Sequence, residues 1–137
     1  MTTKTEIEAA ALSLLGTPFA ANQRAPGVGM DCIGVLVCVA RLCGIPHIDR
    51  VDYPMQPNGE LQQELAARFE RVTGEPQVGD VLMMQLERMS EPHHVAILVS
   101  GDRIVHAHNR AGKTVAQTYT RFWHQAVRAV YRFPGVQ

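Results

Sequence analysis

The segment DCIGVLVCVARLCGI, residues 31–45, is apolar nearly all round. A helix without a polar face has to be enclosed by protein, so the segment predicts a buried central helix around which everything else is arranged. Gly44 and Pro46 stop it. Asp31 stands where a cap residue would stand, and Cys32 falls in the first turn. A chain of 137 residues can enclose such a helix, because a domain of this size buries about two-thirds of its unfolded surface without disulfide or metal.

Thirteen basic and thirteen acidic side chains give a formal net charge of zero. With no basic cluster, a dedicated nucleic-acid binder is not expected. No window reaches the roughly 18–20 apolar residues of a bilayer span, so no membrane insertion is expected either. The N-terminal MTTKTEIEAAALSLLG carries one Lys and two Glu before its Ala/Leu run. It reads as an amphipathic helix rather than a secretory signal, and synthesis in the cytoplasm without a leader is the expectation. Three cysteines without framework spacing point to reduced thiols.

Helical spacing of Ile7, Ala10, Ala11, Leu14 and Leu15 predicts a first helix over 3–15, with a threonine cap, Glu6 and Glu8 early, and Gly16 as its end. A loop punctuated by Pro18, Pro26, Gly27 and Gly29 leads into the apolar helix. Leu61, Leu65 and Phe69 predict a third helix over about 60–71, with Asn58 as candidate cap. After Gly74 the texture changes to strands: VLMMQL, HVAILV, RIVHAH, KTVAQTYT and AVRAVYRF. Helices first and a strand meander second make an α+β domain, and no repeat or linker divides residues 1–137.

Cysteine and histidine carry the chemistry. At a helix N-terminus, unpaired N–H groups and the helix dipole favour a thiolate, so Cys32 is expected to be a low-pKa nucleophile. Gly27 and Gly29 leave room for a substrate backbone, Gly34 permits close helix packing, and the Cys32 N–H could hold an oxyanion. Cys38 and Cys43, further along the same helix, read as packing. A nucleophilic cysteine needs a base, and the base needs an orienting group. If Ser100-Gly101-Asp102 is a three-residue hairpin loop, His94 lies opposite His108 and diagonal to His106, all on one face. Strand parity alone does not choose between His106 and His108 as the group that holds His94. His93 points to the opposite face and reads as exposed, and His47 and His124 read as surface residues. Cys32, His94, His106 and His108 could also be a zinc quartet, but the spacing of structural zinc ligands is missing.

Leu15-Gly16-Thr17-Pro18-Phe19, Gly27-Val28-Gly29-Met30-Asp31-Cys32-Ile33-Gly34, Val78-Gly79-Asp80-Val81, His94-Val95-Ala96-Ile97 and Ile104-Val105-His106-Ala107 together resemble the NlpC/P60 cysteine peptidases. Within that family the likeness is to the short phage and gene-transfer-agent cell-wall peptidases, and it runs from about residue 7 to Pro134. The resemblance implies a papain-like α+β fold with Cys32 as nucleophile, His94 as general base and His106 as third polar residue. It implies no cofactor and no metal. The implied reaction is hydrolysis of peptidoglycan stem peptides, typically between D-γ-glutamyl and the diamino acid. Asp31 and the position of Phe19 are the implied substrate contacts, and His108, on the same face as His94, is a further candidate contact. Phe19 stands where the family usually has Tyr, and Ile33 where many members have Ser, so two polar groups used to recognise a free N-terminal alanine are replaced. The expected partners are the wall peptide and phage tail-tip or hub proteins, with delivery by a virion tail or a particle. A structural tail-tip component with the same fold is the alternative function, and an amidase or acyltransferase using the same Cys–His pair is a third.

Overall fold

Helix α1 (Lys4–Leu12) opens on a capping box: the Thr3 hydroxyl accepts from the Glu6 N–H, and the Glu6 carboxylate accepts from the Thr3 N–H. The computed structural model describes residues 2–46, 59–86 and 89–137; His47 and the candidate cap Asn58 lie outside them. The helix ends three residues before the predicted limit. Tight turns follow, from the Leu14 N–H to the Ala11 carbonyl and from the Leu15 N–H to the Leu12 carbonyl. They keep Leu14 buried but turn Leu15, expected on the apolar face, outward to 42% exposure.

The apolar segment is the central helix, α2 (Cys32–Leu42), and every residue from Gly34 to Ala40 is buried. Close approach dictates the glycine at its first turn. A Cβ on Gly34 would lie 2.4 Å from the Gln23 carbonyl oxygen and 3.0 Å from the Met30 Cβ. Cys38 is buried and directs its sulfur at the Arg24 carbonyl, while Cys43 is partly buried and packs against the core.

Two short strands before α2, β1 (Arg24–Ala25) and β2 (Gly29–Met30), pair antiparallel around Gly27 at φ +76°. Strands this short are beyond the reach of alternation in the sequence. Helix α3 (Glu60–Arg68) ends earlier than residue 71, because Phe69 turns extended and sets its ring 5.0 Å from Phe133. The next residues form β3 (Glu70–Val72) in place of a last helical turn.

Strands β4 (Val81–Met84), β5 (His94–Val99), β6 (Arg103–His108) and β7 (Lys113–Thr118) run as an antiparallel meander. The short helix α4 (Arg121–Ala126), unmarked by the sequence pattern, buries Trp123 and Ala126. Strand β8 (Val127–Arg132) then returns to the far edge of β4, giving the order β3-β8-β4-β5-β6-β7. The return is fixed by a buried carboxylate. Asp80 accepts from Arg132 Nε at 2.7 Å and Nη2 at 2.9 Å, and from the Gln77 N–H at 2.8 Å. Neighbouring Gly79, at φ +92°, lies against Ile7 of α1. The Gly-Asp pair thus joins β4 to β8 and to the first helix.

Alternation gives the sheet two apolar faces. Met83, Val95, Ile97, Val99, Val105 and Ala107 pack with α1 and α2, whereas Leu82, Met84, Ala96 and Ile104 pack with Tyr119, Trp123 and Ala126. Gly34→Ala should cost about 1–3 kcal/mol by overpacking. Gly74→Ala, whose added Cβ would meet nothing within 4 Å, should stay within about 0.5 kcal/mol of wild type in urea unfolding.

Candidate functional site

Asp31 fixes the start of α2. Its Oδ1 accepts from the Gly34 N–H and its Oδ2 from the Asn22 N–H, both at 2.8 Å, and the residue is 2% exposed. Cys32 follows as the first helical residue. Phe19, half-buried, bridges to Met30 and donates its N–H to the Gly112 carbonyl at 2.8 Å, so the Leu15–Phe19 motif is held between the cysteine loop and the start of β7.

The β5–β6 hairpin has the three-residue loop expected from the sequence. Its register is Ile97↔Val105, Leu98↔Ile104 and Val99↔Arg103, which puts His94, His106 and His108 on one face. The ladder stops at Ile97, short of His94. Leu98 bonds toward β4, donating to the Asp80 carbonyl and accepting from the Gly79 N–H, so odd-numbered β5 residues direct their N–H groups toward β6. Where the ladder ends, the Val95 N–H is one of the groups that favour the Cys32 thiolate. Cys32 packs with the cluster on the α1/α2 side of the sheet, and the His94 ring lies toward Trp123 on the other side.

Of the two histidines that parity left open, His106 is the one bonded to His94. His94 Nε2 lies 2.7 Å from His106 Nδ1, and the His108 ring is farther off, with centroids 6.0 Å apart. The diagonal partner takes the bond because the strands part before His94 and His108 can face each other directly. His106 is fully buried, and its Nε2 lies 2.7 Å from Gln117 Oε1 on β7. Trp123 of α4 stands edge-on to His106 and His108, with centroids at 4.9 and 5.5 Å. Gln117 and Trp123 complete the site without any mark in the sequence motifs. A four-residue β6–β7 loop, Asn109 to Gly112, would have put Gln117 diagonal to His106. His93 is half-buried rather than exposed, and His124 is exposed and stacks on Tyr119. Among the described residues, no group of three or more His, Cys, Asp or Glu is arranged to hold a metal ion.

The electrostatics correct one expectation. Burial, and then the charge of Asp31, push the Cys32 thiol up to about 12, against the N–H groups of Val95, Ile33 and Cys32 itself, which favour the thiolate. Desolvation outweighs the helix terminus, so the resting group is a thiol and not the low-pKa thiolate expected from its position. Burial holds His94 well below its ordinary value, with neighbouring His106, His108 and His93 adding to the effect. Burial brings His106 down to about 4 against the opposing bond to Gln117. At neutral pH Cys32 is therefore a thiol and His94 an uncharged imidazole. Such a pair can pass the thiol proton to the ring as the sulfur bonds to an electrophile.

In a Cys38→Ser/Cys43→Ser variant, thiolate ultraviolet absorbance should be absent from about pH 6 to about pH 9. The histidines predict acid sensitivity. Below the ordinary value of 6.5 the unfolded chain binds a proton that buried His106 refuses until about pH 4. Stability should therefore fall as pH drops through that window, by about 3 kcal/mol from His106, and urea unfolding at a series of pH values would measure it.

The NlpC/P60 family model matches residues 16–132. No curated protein matches the chain. A solved NLP/P60 protein from Staphylococcus aureus, described as similar to a lipoprotein, superposes at TM-score 0.69 with 21% identity, over 95% of this chain and 41% of its own. The NlpC/p60 domain of the peptidoglycan hydrolase SagA superposes at 0.68 with 21% identity, over 96% of this chain and all of its own. An NlpC/P60 family protein from Bacillus cereus gives 0.74 with 15% identity, over 96% of this chain and 40% of its own. The chain thus spans about two-fifths of two of these structures and the full length of an isolated domain, sharing their papain-like fold. By its sequence match over residues 16–132, this chain belongs to the NlpC/P60 family.

Proposed function

We propose that the protein is a cysteine peptidase that hydrolyses peptidoglycan stem peptides, with Cys32 as nucleophile, His94 as general base and His106 as the group that holds the base. The observation that carries this reading is a His94 ring bonded at 2.7 Å to His106, together with Cys32 opening α2 directly after the Asp31 cap. Family membership supports the reaction class, and SagA, one of the structures it resembles, is a peptidoglycan hydrolase.

The resting thiol defines the first step. As the sulfur attacks the scissile carbonyl carbon, its proton passes to His94 Nδ1, so charge separates only when the new S–C bond forms. The Cys32 N–H, at the unpaired end of α2, is the candidate donor to the oxyanion. His94 then delivers the proton to the leaving amine as the C–N bond breaks, and a thioester remains. Water attacks the thioester and gives a proton to His94. The C–S bond breaks, the peptide acid leaves, and the sulfur regains its proton.

The finer reading is cleavage between D-γ-glutamyl and the diamino acid by a domain of the phage and gene-transfer-agent type, carried in a tail or particle. Asp31, Phe19 and His108 would face the substrate. Asp31 would do so through the position of its cap, since its carboxylate oxygens accept from backbone N–H groups. A second reading is a structural tail-tip component with weak catalysis, in keeping with a thiol that burial pushes up.

Digestion of purified peptidoglycan separates the two. Wild type should release peptides bearing a new amine on the diamino acid, Cys32→Ala should release none, and His94→Ala should lose about 10²–10⁴-fold in rate. No release by wild type, with the protein recovered in tail particles, would favour the structural role. The pH profile follows from the sign of the His94 shift. A base held neutral below 6.5 should keep kcat/KM level down through that value, with the acid limb appearing only at lower pH.

A further inference from the structure

We propose that Gln117 is a positioning residue that sets the proton arrangement of the histidine pair, so that His94 presents an unprotonated Nδ1 to Cys32. This deepens the peptidase reading and rests on the same site. The argument is one of donors and acceptors. Gln117 Oε1 lies 2.7 Å from His106 Nε2, and a carbonyl oxygen only accepts, so His106 Nε2 carries the proton. His106 is fully buried and neutral, and a neutral imidazole has one N–H. Its Nδ1 must then be an acceptor. His94 Nε2 lies 2.7 Å from that nitrogen, so His94 is the donor there. The one proton of neutral His94 is thereby placed on Nε2, and its Nδ1 keeps a lone pair.

Reversing the amide of Gln117 reverses every proton in the chain. An NH₂ donor against His106 Nε2 would put the His106 proton on Nδ1, make His94 Nε2 the acceptor, and leave His94 Nδ1 protonated and unable to take the thiol proton. The register of the sheet holds the relay in place. Ile104↔Gln117 and His106↔Val115 are cross-strand pairs of β6 and β7, so the amide sits diagonally from the imidazole on the face that Trp123 covers. The relay crosses three consecutive strands of the meander, from His94 on β5 to His106 on β6 to Gln117 on β7.

The test reads protons directly. Long-range proton–nitrogen correlation NMR of the folded wild type, labelled at histidine nitrogen, should show His94 and His106 both as Nε2–H tautomers at neutral pH. An Nδ1–H tautomer at either ring overturns the proposal with no variant required. Gln117→Leu removes the acceptor and should give mixed tautomers at His106, whereas Gln117→Lys offers only donors and should drive His106 to Nδ1–H. Both should lower kcat/KM by about tenfold or more, with KM little changed and with cooperative unfolding in urea retained, at a lowered midpoint. Unchanged tautomers in both folded variants would overturn the role of Gln117 even if wild type digests peptidoglycan. The tautomers shifting as expected, with no peptide released by wild type, would uphold the role of Gln117 and reject the peptidase reading.

Discussion

A buried helix cannot leave its first N–H groups without partners, and Asp31 is how this chain meets that requirement for α2. One carboxylate oxygen closes the helix and the other ties down the Asn22 backbone, so the loop and the helix start are one unit. Cys32 has little freedom left after that: its φ and ψ are helical, and its sulfur is aimed at the end of β5. The same carboxylate also opposes ionisation of the thiol. Position and reactivity therefore come from one residue and pull in different directions. The Asp31 cap thus fixes the thiol's place and at the same time keeps it protonated.

That arrangement changes what the helix terminus means here. A helix dipole stabilises a thiolate where solvent also reaches the sulfur, and around Cys32 desolvation is the larger effect. The depressed basicity of His94 and the raised thiol have the same origin, burial of charge, and both favour the uncharged pair.

Much of this was legible in the residues. The all-round apolar run over 31–45 could only be the central helix, and the turn chemistry of Ser100-Gly101-Asp102 set the hairpin register that puts the histidines on one face. Other features were hidden for identifiable reasons. The end of the third helix was decided by Phe69 meeting Phe133, a contact that is 64 residues distant in sequence. Parity contains no information about where the β5–β6 ladder stops, so the expectation of His106 over His108 came from the family resemblance and not from the strand pattern. The thiol pKa was misjudged because position on a helix is visible in a sequence and desolvation is not. Gln117 sits in an ordinary-looking strand, and only its diagonal relation to His106 gives it significance.

The two apolar faces of the sheet have a consequence for how such a domain can vary. Cys32 packs with the cluster around α1 and α2, while His94 belongs with Trp123 and the cluster under α4. The two residues are thus anchored in separate bodies of packing on the two sides of the sheet. Drift in the cluster under α4 can change the pitch of the imidazole while the sulfur stays where it is, and drift on the other face can do the reverse. Substitution on one side of the sheet can in this sense alter the surroundings of one residue while the packing around the other is inherited unchanged.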